Sequence, residues 1–126
     1  MIAKLTMIAA GGAIGAVLRY LAAAWFGRLV GAGFIGTMFV NVVGSFAMGI
    51  LAVVLIERAA GDWGRFAPFL MTGVLGGFTT FSAFSLDALY LIERGKILVA
   101  AGYICGSVVL SVLALLAGLA MARALA

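Results

Sequence analysis

Two sets of hydroxyl and amide side chains recur at helical spacing in this sequence. Each set has three members four residues apart: Thr37, Asn41 and Ser45 in the first, Tyr103, Ser107 and Ser111 in the second. Residues four apart lie on one face of an α-helix, so each set forms a polar stripe. Such a stripe either bonds neighbouring helices together or lines a path for a polar solute, and the spacing leaves these alternatives about even.

The stretch GGFTTFSAFS (76–85) combines groups that interrupt a helix with groups that could contact an ion. Glycine costs about 1 kcal/mol in a helix relative to alanine, and threonine loses side-chain freedom there. Broken membrane helices tend to present their freed carbonyls to a cation. Phe78, Phe81 and Phe84 recur every three residues, and the positive edge of a phenyl ring can face a small anion. A kink that serves only packing is the alternative.

These segments belong to a chain suited to a lipid bilayer. Hydrophobic residues make up 67% of its 126 residues and charged residues 10%, against roughly 45–50% and 25% in soluble domains. A membrane helix needs about 20 apolar residues. Four stretches meet this length: 5–26, 34–56, 66–92 and 97–121. We therefore expect an all-α integral membrane protein, residues 1–126 forming a single four-helix domain whose third helix is broken near its middle.

The basic residues are scattered at the ends of the spans, which excludes a nucleic-acid-binding stripe. If both termini share one side of the membrane, that side carries Lys4, Arg58, Arg65 and Arg123, and the other side carries Arg28, Arg94 and Lys96. Orientation follows the Lys/Arg imbalance, and four against three is almost none. Either other signals set one orientation, or the chain inserts both ways and pairs head to tail.

Arg19 is the one basic residue placed within a span. Arginine at the centre of a bilayer costs roughly 2.5–3.5 kcal/mol on insertion scales, and less if the side chain reaches towards the interface. Arg19 is therefore either an anchor or salt-bridge partner, or part of an electropositive vestibule that attracts anions.

The acidic residues favour passive conduction over proton-driven exchange. Only Asp87 falls inside a span, in its last two turns, whereas proton-coupled transporters usually need a buried acid or histidine. The sequence has no histidine and one cysteine, Cys105, which excludes most metal clusters and nucleophile–base pairs, so no enzyme is indicated. A small proton-coupled multidrug-type exporter that uses Asp87 is the alternative function.

Three segments carry a family resemblance: GGAIGAVLRY (11–20), GTMFVNVVGS (36–45) and TGVLGGFTTFSAFS (72–85). They resemble the motifs of the Fluc family of small dual-topology fluoride channels, and the Tyr103/Ser107/Ser111 stripe is similar as well. The resemblance covers essentially the whole chain. It implies an antiparallel homodimer with two pores in the plasma (inner) membrane, in contact with lipid, which conducts fluoride passively and excludes chloride.

The resemblance also implies roles for individual residues. Phe81 and Phe84 would be the pore phenylalanines and Asn41 a pore-lining donor. The hydroxyl track would be formed by Tyr103, Ser107, Ser111, Thr80 and Ser82, with Thr79 nearby. The main-chain carbonyls of Gly76 and Thr79 would bind a sodium ion at the dimer interface, and Arg19 matches the arginine of the family's first helix. Ala83 departs from the family, which commonly has threonine there, so one hydroxyl of the track is missing.

Overall fold

The computed structural model describes residues 1–58 and 61–125, which form helices joined by short turns. Four of its helical spans are long and apolar enough to cross a membrane: Ile2–Val30, Gly33–Glu57, Asp62–Glu93 and Ile97–Ala124. The chain is therefore a multi-pass, all-α membrane protein, as the sequence predicted. Each span extends a few residues beyond the predicted apolar stretch, because the helices continue through charged residues such as Arg28 and Arg123 at their ends.

The first, second and fourth spans are nearly continuous helices. We label them α1 (Ile2–Val30), α2 (Gly33–Ala52, followed by a π-helical turn over Val53–Glu57) and α5 (Ile97–Ala124). α1 ends at Gly31, whose φ of 82° lets its N–H reach the Gly27 carbonyl at 2.8 Å. This left-handed conformation is open to glycine without strain, which is why helices so often end there.

The third span is irregular over most of its length. It begins as a 3₁₀ helix (Asp62–Phe66), widens into a π-helix (Pro68–Leu75) and closes with one α-helical turn, α3 (Gly76–Phe78). Thr79 and Thr80 then adopt extended conformations, with ψ values of 156° and 122°. A new helix, α4, covers Phe81–Glu93. The predicted break is thus confirmed, and we refer to Thr79–Thr80 as the break.

Close contact between backbones holds the first half of the third span against α1. An added methyl group at Gly11 would lie 2.5 Å from the Phe69 carbonyl oxygen, and one at Gly15 would overlap the Val74 carbonyl. α2 and α5 meet in the same way through Gly49 and Gly118. In a membrane, small residues let helices approach closely enough for dispersion forces and weak hydrogen bonds to replace the missing hydrophobic effect.

A buried cluster joins α4 to α5 and fixes the helix that follows the break. Its members are Phe84, Ala88, Leu91, Ala100 and Tyr103. The outer surface, by contrast, is covered with large apolar side chains, such as Leu98 at 88% exposure. Such a surface would be a liability in water and suits contact with lipid tails. At one end of the bundle, the Arg123 guanidinium pairs with the Glu57 carboxylate and so ties α5 to the end of the second span.

Replacing Gly15 by alanine is expected to destabilise the protein, because the new methyl group would overlap the carbonyl oxygen of Val74. Overpacking of this kind costs roughly 1–3 kcal/mol of unfolding free energy. The matched control is Gly12→Ala on the same helix, where an added methyl group has nothing within 4 Å. Thermal unfolding of the purified protein in detergent compares the two, and equal stability of both variants would contradict this packing.

Candidate functional site

Asn41 pairs with the backbone of the break. Its Nδ2 donates to the Thr80 carbonyl oxygen at 2.9 Å, and its Oδ1 accepts from the Thr80 N–H at 2.7 Å. The side-chain amide therefore replaces both hydrogen bonds that the helix gives up at Thr80. An amide nitrogen carries two hydrogens, so one N–H of Asn41 is left after the bond to Thr80. The sequence predicted a pore-lining donor here, and the structure adds this pairing with the chain.

Hydroxyl groups satisfy further backbone groups at the break. Thr80 Oγ1 accepts from the Ala83 N–H at 3.1 Å and so caps the start of α4. The N–H and Oγ1 of Thr79 both donate to the Leu75 carbonyl oxygen, each at 3.0 Å. These contacts explain why two threonines follow the glycines: their side chains supply partners that water cannot supply inside a bilayer.

Arg19 provides another partner from the neighbouring helix. Its Nε donates to the Gly77 carbonyl oxygen at 3.0 Å, and the side chain is half-buried. The Thr79 carbonyl, one of the predicted cation ligands, accepts none of the hydrogen bonds found around the break in the described residues. The family resemblance implied Gly76 and Thr79 as cation ligands, and this role stays a prediction.

A groove of about 330 Å³ runs beside the break and collects most of the predicted pore residues. The predicted residues that line it are Asn41, Thr79, Thr80, Phe81, Phe84, Ser107 and Ser111. The rings of Phe81 and Phe84 lie 5.5 Å apart between centroids, tilted by 50°. Residues that are far apart in the sequence thus bring two aromatic rings and several hydrogen-bond donors into the lining of one groove. Their roles in conduction stay predictions.

The two rings have different surroundings. Phe84 is buried and packs against the Tyr103 ring at 5.3 Å, whereas 78% of Phe81 is exposed. Ser82, next to Phe81, is also exposed, and its hydroxyl lies 3.3 Å from Thr80 Oγ1. The groove is therefore walled by protein on the Phe84 side and open on the Phe81 side.

Ser107 carries a hydroxyl oxygen that is buried and has no hydrogen-bond partner in the described part of the chain. An orphaned buried hydroxyl costs roughly 1–3 kcal/mol, so its presence in the wall of a groove indicates a place where a polar guest or water completes it. Ser111, one turn further along α5, is half-buried in the same wall. Tyr103 lies behind Phe84 rather than in the groove, and its hydroxyl donates to Asp87 Oδ2 at 3.3 Å.

Besides Ser82 and Tyr103, two more of the predicted residues do not line the groove. Gly76 is exposed at the end of the π-helix, and Arg19 lines a second cavity of about 260 Å³ on the other side of the break. That cavity also contains Thr37, Thr80 and Ala83. The hydroxyl that Ala83 lacks would therefore have stood in the second cavity.

Gly44 was not among the residues predicted from the sequence, although it lies against the break. An added methyl group at Gly44 would overlap Cγ2 of Thr79 and lie 3.2 Å from the Phe78 ring. Gly44 also lines the groove together with Ser45 and Met48. Its position one turn after Asn41 on the same helical face was the available signal.

Comparisons with known proteins place the chain in a family. A family model described as CrcB-like protein, camphor resistance (CrcB), matches residues 6–119. A fluoride-specific ion channel FluC from Cereibacter sphaeroides is 56% identical over 124 residues, covering 98% of this chain and 97% of the relative. Proteins of the same name from Agrobacterium fabrum and Paracoccus denitrificans are 52% and 51% identical, and each alignment covers at least 93% of both chains. The chain therefore belongs to the CrcB-like family.

Proposed function

We propose that the chain is a fluoride-selective passive ion channel that lets cytoplasmic fluoride leave the cell down its electrochemical gradient. The observation that carries this function is the groove whose lining combines the rings of Phe81 and Phe84 with Ser107 and Ser111. Relatives named as fluoride-specific channels align over nearly the whole chain, which supports the choice of ion. The protein acts as a channel and not as an enzyme.

The groove offers a small anion two kinds of contact that together replace hydration. Removing an ion from water costs tens of kcal/mol on a Born estimate, while the edge of one phenyl ring contributes only about 0.5–1.5 kcal/mol. The rings therefore depend on the directional donors across the groove, which are Ser107, Ser111 and the second N–H of Asn41. A fluoride ion fits a narrow array of this kind, and the larger chloride ion would strain it.

The carbonyls at the break suit a hard monovalent cation, which we propose is sodium. The described residues contain no cluster of three His, Cys, Asp or Glu side chains, and the ligands we propose are the neutral carbonyl oxygens of Gly76 and Thr79. One chain supplies too few of these for a closed shell, and a second copy would double the number. A cation bound there supplies a favourable electric field for an anion passing nearby.

The assembly we propose is an antiparallel homodimer in the plasma membrane, with two pores. Three features support it: the near balance of four basic residues against three, the open Phe81 side of the groove, and the need for more carbonyls than one chain offers. A second copy that covers Phe81 would also remove an exposed aromatic ring from lipid.

Purified protein in liposomes is expected to release fluoride rapidly and chloride slowly, because the proposed donors suit the smaller ion. Ion-selective electrodes measure both effluxes from vesicles loaded with equal concentrations of the two salts. Fluoride efflux should not change when a proton gradient is imposed, and it should persist in Asp87→Asn. Retention of fluoride by vesicles that contain folded protein would contradict the channel. Efflux that follows the proton gradient and disappears in Asp87→Asn would favour the exporter.

Replacing Phe81 by isoleucine is expected to slow fluoride efflux about tenfold, the factor that corresponds to losing roughly 1.4 kcal/mol of edge contact. Asn41→Asp should slow it further, because an anionic oxygen would face the Thr80 carbonyl. Stopped-flow efflux from liposomes gives both rates.

The control for these variants is Phe66→Ile, which removes a ring at the start of the third span, outside the groove. Size-exclusion chromatography should give the same elution volume for all three variants and the parent protein. Normal efflux in both Phe81→Ile and Asn41→Asp would overturn the assignment of the pore.

Reporters fused to the C-terminus are expected to give a signal on both sides of the membrane, because four basic residues face three across it. The substitution Lys96→Gln reduces the smaller group of basic residues from three to two, and it should shift most of the reporter signal to one side of the membrane. A single orientation for the parent chain, unchanged in Lys96→Gln, would rule out dual topology.

A further inference from the structure

We infer that Arg19 is a positioning residue, which occupies the Gly77 carbonyl and so determines which carbonyls at the break remain for the cation. The bond that carries this inference joins Arg19 Nε to the Gly77 oxygen at 3.0 Å, between residues 58 apart in sequence. The inference rests on the proposed sodium site, and it assigns Arg19 a role different from attracting anions.

The depth of Arg19 requires a partner inside the membrane. α1 extends to Val30, so Arg19 lies 11 residues from the end of the helix, or about 16 Å at 1.5 Å per residue. Four of these residues lie beyond the predicted apolar stretch (5–26), so Arg19 lies seven residues, or roughly 10 Å, inside it. The ion pairs found in the described residues join Arg65 to Asp62 and Arg123 to Glu57, so the Gly77 carbonyl is the partner available to Arg19.

The hydrogen bonds of the break divide its carbonyls into two groups. Those of Leu75, Gly77 and Thr80 accept from Thr79, Arg19 and Asn41 respectively. The second group consists of the predicted cation ligands, the carbonyls of Gly76 and Thr79, which are not among these acceptors. Gly77 lies beside Gly76 in the chain, so a free Gly77 carbonyl would compete with the ligands for the cation or let α3 and the break change conformation. The guanidinium prevents both with a charge-assisted bond, which is stronger than a neutral one.

Loss of the Arg19–Gly77 hydrogen bond can be measured by the deuterium exchange of the backbone amides around the break. In Arg19→Met, the amides of residues 72–85 should exchange with deuterium roughly ten- to a hundredfold faster, the factor expected for losing a hydrogen bond to a charged group. The sodium concentration that gives half-maximal fluoride efflux should rise about tenfold for the same reason. Hydrogen-exchange mass spectrometry on the detergent-purified protein supplies the first value and a sodium titration of liposomes the second.

The variant Arg19→Lys distinguishes a positioning role of Arg19 from a role of its positive charge alone. Lysine keeps the positive charge but lacks the planar fork that holds Nε against the carbonyl, so exchange at 72–85 should fall between the parent and Arg19→Met. If Arg19 only attracted anions, Arg19→Lys would match the parent protein in both measurements, and Arg19→Met would lose efflux in a manner that depends on ionic strength. The matched control is Arg28→Lys, on the same helix and exposed, which should change neither exchange nor sodium requirement.

The outcomes distinguish this inference from the proposed function. If the parent protein conducts fluoride but exchange and sodium requirement are unchanged in Arg19→Met, the positioning role is wrong and the channel stands. If the parent protein does not conduct fluoride, the channel is wrong, and the exchange measurement still tests the Arg19–Gly77 bond. If Arg19→Met does not fold, the test uses Arg19→Lys instead. Deuterium exchange at residues 72–85 of Arg19→Lys that is identical to the parent protein would then overturn the inference.

Discussion

The structure depends on one constraint: a helix interrupted inside a bilayer must find partners for the backbone groups it releases. In water these groups would bond to solvent, but in hydrocarbon each unpaired one costs several kcal/mol. Asn41 from α2, Arg19 from α1 and the two threonines of the break supply those partners. Because the donors come from different helices, the break also determines how α1 and α2 must lie beside the third span.

The limited number of hydrogen-bond donors around the break also explains the chemistry of the site. The carbonyl of Thr79 and the hydroxyl of Ser107 take part, as acceptor or donor, in none of the hydrogen bonds that are found in the described residues. Carbonyls attract a cation, and hydroxyl and phenyl edges attract an anion. A region with both kinds of unsatisfied group can therefore hold charges of opposite sign a short distance apart, which lowers the energy of each in a low dielectric.

Much of this architecture can be predicted from the sequence, and the features that cannot be predicted have physical reasons for it. The spans follow from continuous apolar runs, and the break follows from Gly76-Gly77 and Thr79-Thr80, because local propensity acts within a few residues. The polar stripes could be predicted for the same reason.

The hydrogen-bond partner of Arg19 could not be predicted from the sequence, because a backbone carbonyl is present in every residue and no residue type marks it. The pairing of Asn41 with Thr80 was also hidden, because it joins residues 39 apart through an amide that could equally have faced the pore. The role of Gly44 depends on what lies opposite it.

The π-helix over Pro68–Leu75 sets the direction in which everything after it faces. Each wide turn takes in more residues than the 3.6 of an α-helix, so it rotates the following residues relative to an ordinary helix of the same length. Loss of one amino acid here would rotate Gly76–Phe78 around the axis and swing their backbone away from α1 and α2. In this stretch, chain length is consequently a stricter requirement than side-chain identity, and insertions or deletions should be rarer there than substitutions.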